Sequence, residues 1–373
     1  MIHTRPQLEG ISIYSPGKPI EELQREKGLS KIIKMASNEN PFGCSRLVEE
    51  AIRKEMQEIT RYPETTSPAL AVKLAARLGI SDNQLIFGNG SDEVIRLLTR
   101  SYINEGDEVV MAGITFPRYK TNVLIEGGIP VEVGMKHGAH DLEGMLSAIT
   151  TKTKMVFVCN PNNPTGTIVQ RQALLDFIEQ IPSGVLLVMD EAYYEYAESE
   201  EYLETLPMLD AHSNMVILRT FSKVYGLAAL RIGYGIMHPE IVHQLRKVKD
   251  PFNVNRLAEA AASASLDDEV FLIETIAKNL EGRRYLSRHF KDMDLYFFDT
   301  QTNFIMVDVG CSSKIVYEEL LNAGIIIRPG HLLGYPTMIR VTIGQQDENE
   351  AFIRVLRKIL NLEVFPVKEE RGE

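Results

Sequence analysis

The chain of 373 residues predicts an α/β fold, with a large domain on a mainly parallel sheet flanked by helices and a smaller α+β domain after it. Three observations predict this. Between Asn83 and Met237, short runs rich in Val, Ile and Leu alternate with amphipathic stretches; strands separated by helices build a parallel sheet covered on both faces. After about Pro251 the alternation gives way to a long helical stretch, then to strands and helices in looser order. The length suits two domains. The expected boundaries are a polar arm over 1–33, a large domain over 34–250 and a small domain over 251–373.

The elements follow in order. Residues 1–33 are polar and broken by Pro6, Pro16, Gly17 and Pro19, so they read as an arm. IIKMASNEN (32–40) is a strand running into a polar loop, turned by Pro41-Phe42-Gly43. An amphipathic helix covers 45–58. A loop begins at Arg61-Tyr62-Pro63, and Pro68 suits the first turn of the next helix. Strands are expected at 83–90, 107–113, 128–135, 154–160, 184–190, 215–220 and 231–237. Helices lie between the first five, and Ser91-Asp92-Glu93 is expected to cap the helix VIRLLTRSYI. A helical stretch over 254–290 follows. Strands are then expected at DLYFFD (294–299), NFIMVDV (303–309), GIIIRPG (324–330) and MIRVTIG (338–344), with helices over 312–324 and 347–360. The charged tail after Glu363 is expected to fray.

Composition narrows the function. Hydrophobic content of 44% and charged content of 24% are ordinary for a soluble globular enzyme. The net charge of -11 disfavours a nucleic-acid partner. The three cysteines are widely spaced, without CxxC, which argues for a reducing compartment and against a disulfide framework or a zinc site. MIHTRPQLEG lacks the apolar core of a signal peptide. No apolar run approaches the ~18 residues that span a bilayer. A cytoplasmic protein is expected.

Chemistry-bearing residues collect at strand ends, where ligands bind in open parallel sheets. MVILRT runs directly into Phe221-Ser222-Lys223. A lysine walled by apolar residues loses its proton more easily and can form a Schiff base with an aldehyde, although a strand–turn with an exposed lysine reads the same way. Ser222 and Arg231 bring a hydroxyl and a guanidinium suited to phosphate. Gly88-Asn89-Gly90-Ser91-Asp92 lets the backbone approach an anion at a helix N-terminus, although an ordinary capped helix reads the same way. Asp190 ends the strand VLLVMD; a carboxylate buried there needs a partner, and a protonated ring nitrogen is one, with a metal or a helix cap as the alternatives. Asn163, fixed before Pro164, could donate to a phenolate oxygen, and Tyr193 could reach the same atom. Phe116 could stack on a flat ring, although a phenylalanine at a strand end is more often simple core. An aldehyde that carries both a phosphate and an aromatic ring describes pyridoxal 5'-phosphate (PLP).

Taken together, SNENP, GNGSDE, TF, NNPTG, DEAY, TFSK, LR and MIRVTIG, in that order across nearly the whole chain, resemble the fold-type I PLP enzymes of the aspartate-aminotransferase superfamily. Within it, Tyr14, ASNENP (36–41), Arg61-Tyr62-Pro63, Ile327-Arg328 and Gly334-Tyr335-Pro336 leading to Ile339-Arg340-Val341-Thr342 are most similar to the histidinol-phosphate aminotransferases. The resemblance implies a seven-stranded sheet in the large domain and a homodimer, with the arm packed on the small domain and at the dimer contact. It implies Lys223, Asp190 and Tyr193 as catalytic residues. Lys223 holds the cofactor, Asp190 pairs with its ring nitrogen, Asn163 and Tyr193 hold the phenolate, and Phe116 stacks on the ring. Ser91, Asp92 (through its backbone N–H), Ser222, Arg231 and Tyr62 of a second subunit bind the phosphate. Tyr14, Asn38, Arg328 and Arg340 bind the substrates, L-histidinol phosphate and glutamate or 2-oxoglutarate. The implied reaction is transamination in histidine biosynthesis. The chain departs from the family pattern at Val224, where a small residue is frequent, and at Pro63-Glu64-Thr65, where Pro-Asp-Gly is common.

Other readings are weaker. An aromatic or broad-range aminotransferase, or a phospho-amino-acid decarboxylase of the same fold, would use the same cofactor residues. A nicotinamide-dependent dehydrogenase lacks the third glycine of its fingerprint. A PLP-fold regulator would need an added DNA-binding module and a basic face, and the chain has neither.

Overall fold

The computed structural model describes residues 2–13 and 17–362. These form two units. The first comprises residues 2–13, Glu39–Asn279 and Phe298–Asn303; the second comprises 17–38, Leu280–Phe297 and 304–362. The polar N-terminal stretch is therefore divided between the units, and the chain from Pro251 to Asn279 stays with the first although its style changes there.

The first unit is built on a seven-stranded sheet in the order Leu85–Gly88, Gly233–Met237, Met215–Thr220, Leu186–Asp190, Thr153–Cys159, Glu108–Ala112, Ile129–Val133. The five strands from Met215–Thr220 to Ile129–Val133 are mutually parallel, whereas Gly233–Met237 is antiparallel to both its neighbours. Helices cover both faces, so the central strands read as continuous apolar runs and are buried along almost their whole length. Each fully buried Val, Leu or Ile contributes roughly 1.5–3 kcal/mol, and this core includes Val109, Phe157, Val188, Val216 and Leu218.

The antiparallel strand matters for function. Its first residue, Gly233, pairs with Thr220 on one side and Gly88 on the other. The chain entering it, with Arg231, is thus delivered to the carboxyl ends of its neighbours, where the loops after Gly88, Ala112, Cys159, Asp190 and Thr220 also lie.

The second unit has a three-stranded antiparallel sheet in the order Phe304–Asp308, Met338–Thr342, Arg328–Pro329, and a parallel pair of Ile33–Lys34 with Ile325–Ile326. Helices Ser313–Asn322 and Gln346–Ile359 supply Val316, Leu320, Phe352 and Leu356 to its core.

Several elements differ from their sequence-based expectation. The stretch 254–290 is two helices, Arg256–Ser265 and Glu269–Asp292, parted at Asp268, whose carboxylate accepts from Phe271 N (2.9 Å) and Ser45 Oγ (2.5 Å). DLYFFD makes only an isolated bridge between Phe297 and Val307. GIIIRPG divides between two sheets on either side of Ile327. Only Ile33–Lys34 of 32–40 is a strand. Ser91 begins its helix instead of capping it; the N-cap is Gly90.

Candidate active site

The turn after Met215–Thr220 places Lys223. Ser222 N donates to Thr220 Oγ1 (3.0 Å), Leu227 N to Phe221 O (3.0 Å) and Gly226 N to Lys223 O (2.9 Å). Gly226 has φ +72°, and a Cβ there would lie 1.9 Å from Gly43 O, so this close approach requires glycine. Val224 is buried and its carbonyl accepts from Asn40 Nδ2 (2.8 Å); the larger side chain is absorbed by the core. Lys223 Nζ lies 5.6 Å from the centre of the buried Tyr193 ring.

Asp190 is 3% exposed at the end of its strand, level with Cys159 on one neighbour and Leu218 on the other. Its Oδ1 accepts from Ala192 N (3.1 Å) and its Oδ2 from Tyr119 OH (2.5 Å). Burial pushes the carboxyl up to about 6, opposed by these two donors and reinforced by the charges of Asp92 and Glu191. Asn163 is half-buried in the loop after Cys159, and Phe116 is half-buried, edge-on to Tyr119 at 5.6 Å.

An anion cradle lies beside this cluster. The twelve-residue helix Ser91–Tyr102 starts after Gly90 without a side-chain cap. Arg231, itself left-handed at φ +55°, donates from Nη1 to Ser222 Oγ (3.4 Å) and places Nη2 3.6 Å from Asp92 Oδ2. A Cβ at Gly90 would fall 2.7 Å from Arg231 Nη2, and one at Gly233 would fall 2.4 Å from Ser91 N. Two glycines thus keep open the space between a guanidinium and a helix N-terminus. This fits a phosphate, and the neighbouring lysine, carboxylate and aromatic residues fit an aldehyde on a protonated ring. Tyr62 is 79% exposed and stacks on Phe252 at 4.8 Å.

In the second unit, Arg328 and Arg340 are directly opposite on adjacent antiparallel strands, 8% and 7% exposed. Directly opposed residues present their side chains to one sheet face, and like charges so placed repel unless an anion joins them. Arg340 Nη2 donates to Ala36 O (2.9 Å) and its guanidinium lies 5.1 Å from the Phe304 ring centre. Asn38, buried at φ +56°, is held by Thr342: its N–H donates to Thr342 Oγ1 (3.0 Å), which donates to Asn38 Oδ1 (3.1 Å). Tyr14 lies outside the described residues.

Sequence reasoning missed Tyr119, the residue bonded to Asp190. It also missed the network around Asn162, whose Oδ1 accepts from Thr115 Oγ1 (2.8 Å) and His140 Nε2 (3.1 Å). Burial lowers His140 to about 4, so its ring is neutral and Nε2 carries the proton. The spacing from Phe116 to Tyr119, one helical turn past a strand end, was the available signal.

Comparison with known proteins follows the same line. The family model for Aminotransferase class I and II matches residues 30–356. The chain is 47% identical over 356 residues to the histidinol-phosphate aminotransferase of Geobacillus sp. (strain WCH70), covering 95% of this chain and 98% of that protein. It is 45% identical over 357 residues to that of Bacillus subtilis (strain 168), covering 95% and 99%. Among solved structures it resembles histidinol-phosphate aminotransferase from Sinorhizobium meliloti in complex with pyridoxal-5'-phosphate, with a TM-score of 0.89, 29% identity, and coverage of 97% and 98%. The chain therefore belongs to the class I and II aminotransferases.

Proposed function

We propose that this protein transfers the amino group of L-histidinol phosphate to 2-oxoglutarate, giving imidazole acetol phosphate and L-glutamate, with PLP as cofactor. The observation that carries the substrate assignment is identity of 43–47% along nearly the full chain to histidinol-phosphate aminotransferases. The opposed Arg328 and Arg340 support it. One donor carries a phosphate and the other two carboxylates, and guanidinium forks bind either group.

PLP, when bound, supplies an aldehyde and an electron-withdrawing protonated ring. The chain's own residues then divide the remaining work. Lys223 Nζ holds the cofactor until substrate amine replaces it, then takes the proton from the substrate Cα. Asp190, ionised, keeps the ring nitrogen protonated. Asn163 and Tyr193 hold the phenolate oxygen, and Phe116 covers one ring face. Ser222, Arg231 and the N–H groups of Ser91 and Asp92 bind the phosphate. Asn38, Arg328, Arg340 and Tyr14 orient the substrates.

The enzyme acts as a cytoplasmic homodimer in this reading. Tyr62, exposed on its own subunit, reaches the phosphate of the other. Met56, Ile59, Val72 and Phe252 are also exposed apolar residues of the same unit, a composition suited to an interface. No helix among the described residues is long and apolar enough to cross a membrane.

The test is the absorbance of the PLP-loaded protein as single amino donors are added. Conversion of the cofactor to its amine form by both L-histidinol phosphate and glutamate is expected. Conversion by glutamate and aromatic amino acids but not by histidinol phosphate would move the assignment to an aromatic aminotransferase.

A further inference from the structure

We infer that Tyr119 is a positioning residue of this site: its hydroxyl holds the Asp190 carboxylate ionised and in the orientation that pairs with a protonated ring nitrogen. The inference rests on the PLP assignment above and deepens it.

Tyr119 is fully buried in the first turn of helix Arg118–Ile125, three residues after Phe116. Its ring stacks face to face on Phe157 (4.4 Å between centres, 7° between planes) and meets the edge of Phe116. The clamped ring fixes its hydroxyl 2.5 Å from Asp190 Oδ2. A buried phenol needs a partner, and here that partner is the carboxylate at the strand end.

The hydroxyl meets an electrostatic need. Asp190 is buried, and Asp92 and Glu191 add like charge, all of which favour its neutral form. Tyr119 OH and Ala192 N–H donate to it, one to each oxygen. The Tyr119 phenol is itself raised well above its ordinary value, chiefly by burial, so it remains a donor throughout the working pH range. Cys159, pushed up to about 12 mainly by burial, borders the pair as a neutral thiol. Without the hydroxyl, Asp190 becomes more basic, and the proton it shares with the ring nitrogen moves onto the carboxyl oxygen. No other atom is gained or lost. Phe116, just before the helix, and Tyr119, in its first turn, then act side by side, the first on the ring face and the second on the carboxylate.

The experiment uses Tyr119→Phe, which keeps the aromatic stack. PLP affinity is measured by titration, and the ring-nitrogen protonation by the ¹⁵N shift of labelled PLP between about pH 6 and 9. The wild type is expected to keep the protonated shift throughout. Y119F is expected to lose it within that range and to bind PLP roughly tenfold or more weakly, the scale of one hydrogen bond to a charged group. In an Asp190→Asn background the same substitution should change PLP affinity by no more than about twofold, because the carboxylate it serves is gone. A wild-type ring-nitrogen signal in Y119F overturns the inference, as does equal weakening in both backgrounds, which would mark Tyr119 as packing alone. A wild type that takes up no PLP removes the cofactor reading together with the inference, whereas PLP uptake with an unaltered Y119F removes only the inference.

Discussion

Replacing Glu195 by Gln should make the protein's stability less sensitive to pH. Both carboxylate oxygens of Glu195 are buried, and neither accepts a hydrogen bond from another described residue. Burial pushes the carboxyl up from 4.5 to about 8, reinforced by Glu191 and Glu204 and opposed by Arg219. The Arg219 guanidinium is engaged elsewhere, donating from Nε (2.9 Å) and Nη2 (2.7 Å) to Glu191 Oε2. An acid raised by folding holds its proton more tightly when folded, so the folded state is favoured at low pH. That advantage fades as pH rises through about 8. Between pH 5 and pH 7 the loss through this one group is roughly 2–3 kcal/mol, at 1.36 kcal/mol per pKa unit. Glutamine cannot ionise and removes the dependence. Denaturant unfolding of the PLP-loaded wild type and E195Q at several pH values measures it. E195Q should gain on the wild type by roughly 2–3 kcal/mol from pH 5 to pH 7, whatever their offset at pH 5. Parallel stability profiles would show that Glu195 is ionised and partnered throughout, and the argument from burial would fail.

Three further outcomes follow from the geometry. Arg340→Ala should raise the KM for glutamate roughly tenfold to a hundredfold, the worth of charge-assisted hydrogen bonds to a carboxylate; an unchanged KM in steady-state assays removes Arg340 from that role. Gly226→Ala should cost about 2–4 kcal/mol in unfolding experiments, because the new Cβ meets Gly43 O and the backbone is left-handed, and it should also weaken PLP binding by moving Lys223. Among the thiols, exposed Cys311 should be alkylated first in the native protein, while buried Cys159 reacts only on unfolding; mass spectrometry of the labelled peptides distinguishes them.

The parallel sheet was legible because its strands are buried on both faces and so read as unbroken apolar runs. The site was legible for a related reason. Polar residues such as Asp190 and Ser222-Lys223 stand where those runs stop, and the fold gathers such stops at one edge. Features that depend on register were hidden. The opposition of Arg328 and Arg340 depends on how two strands are offset, and GIIIRPG gave no sign that Ile327 separates two sheets. The break at Leu266–Asp268 carries neither Gly nor Pro, so 254–290 read as one helix. Tyr119 was overlooked because a tyrosine on the buried face of a short amphipathic helix reads as core. Its ring is core, and only the atom at its tip reaches Asp190.

Borohydride reduction of the PLP-loaded protein, followed by peptide mapping, locates the amine that holds the cofactor. The cluster at the strand ends predicts one labelled site, Lys223, with the label lost in Lys223→Ala. Label on another lysine, or a protein that retains no cofactor on reduction, would contradict the assignment of this cluster as a transamination site.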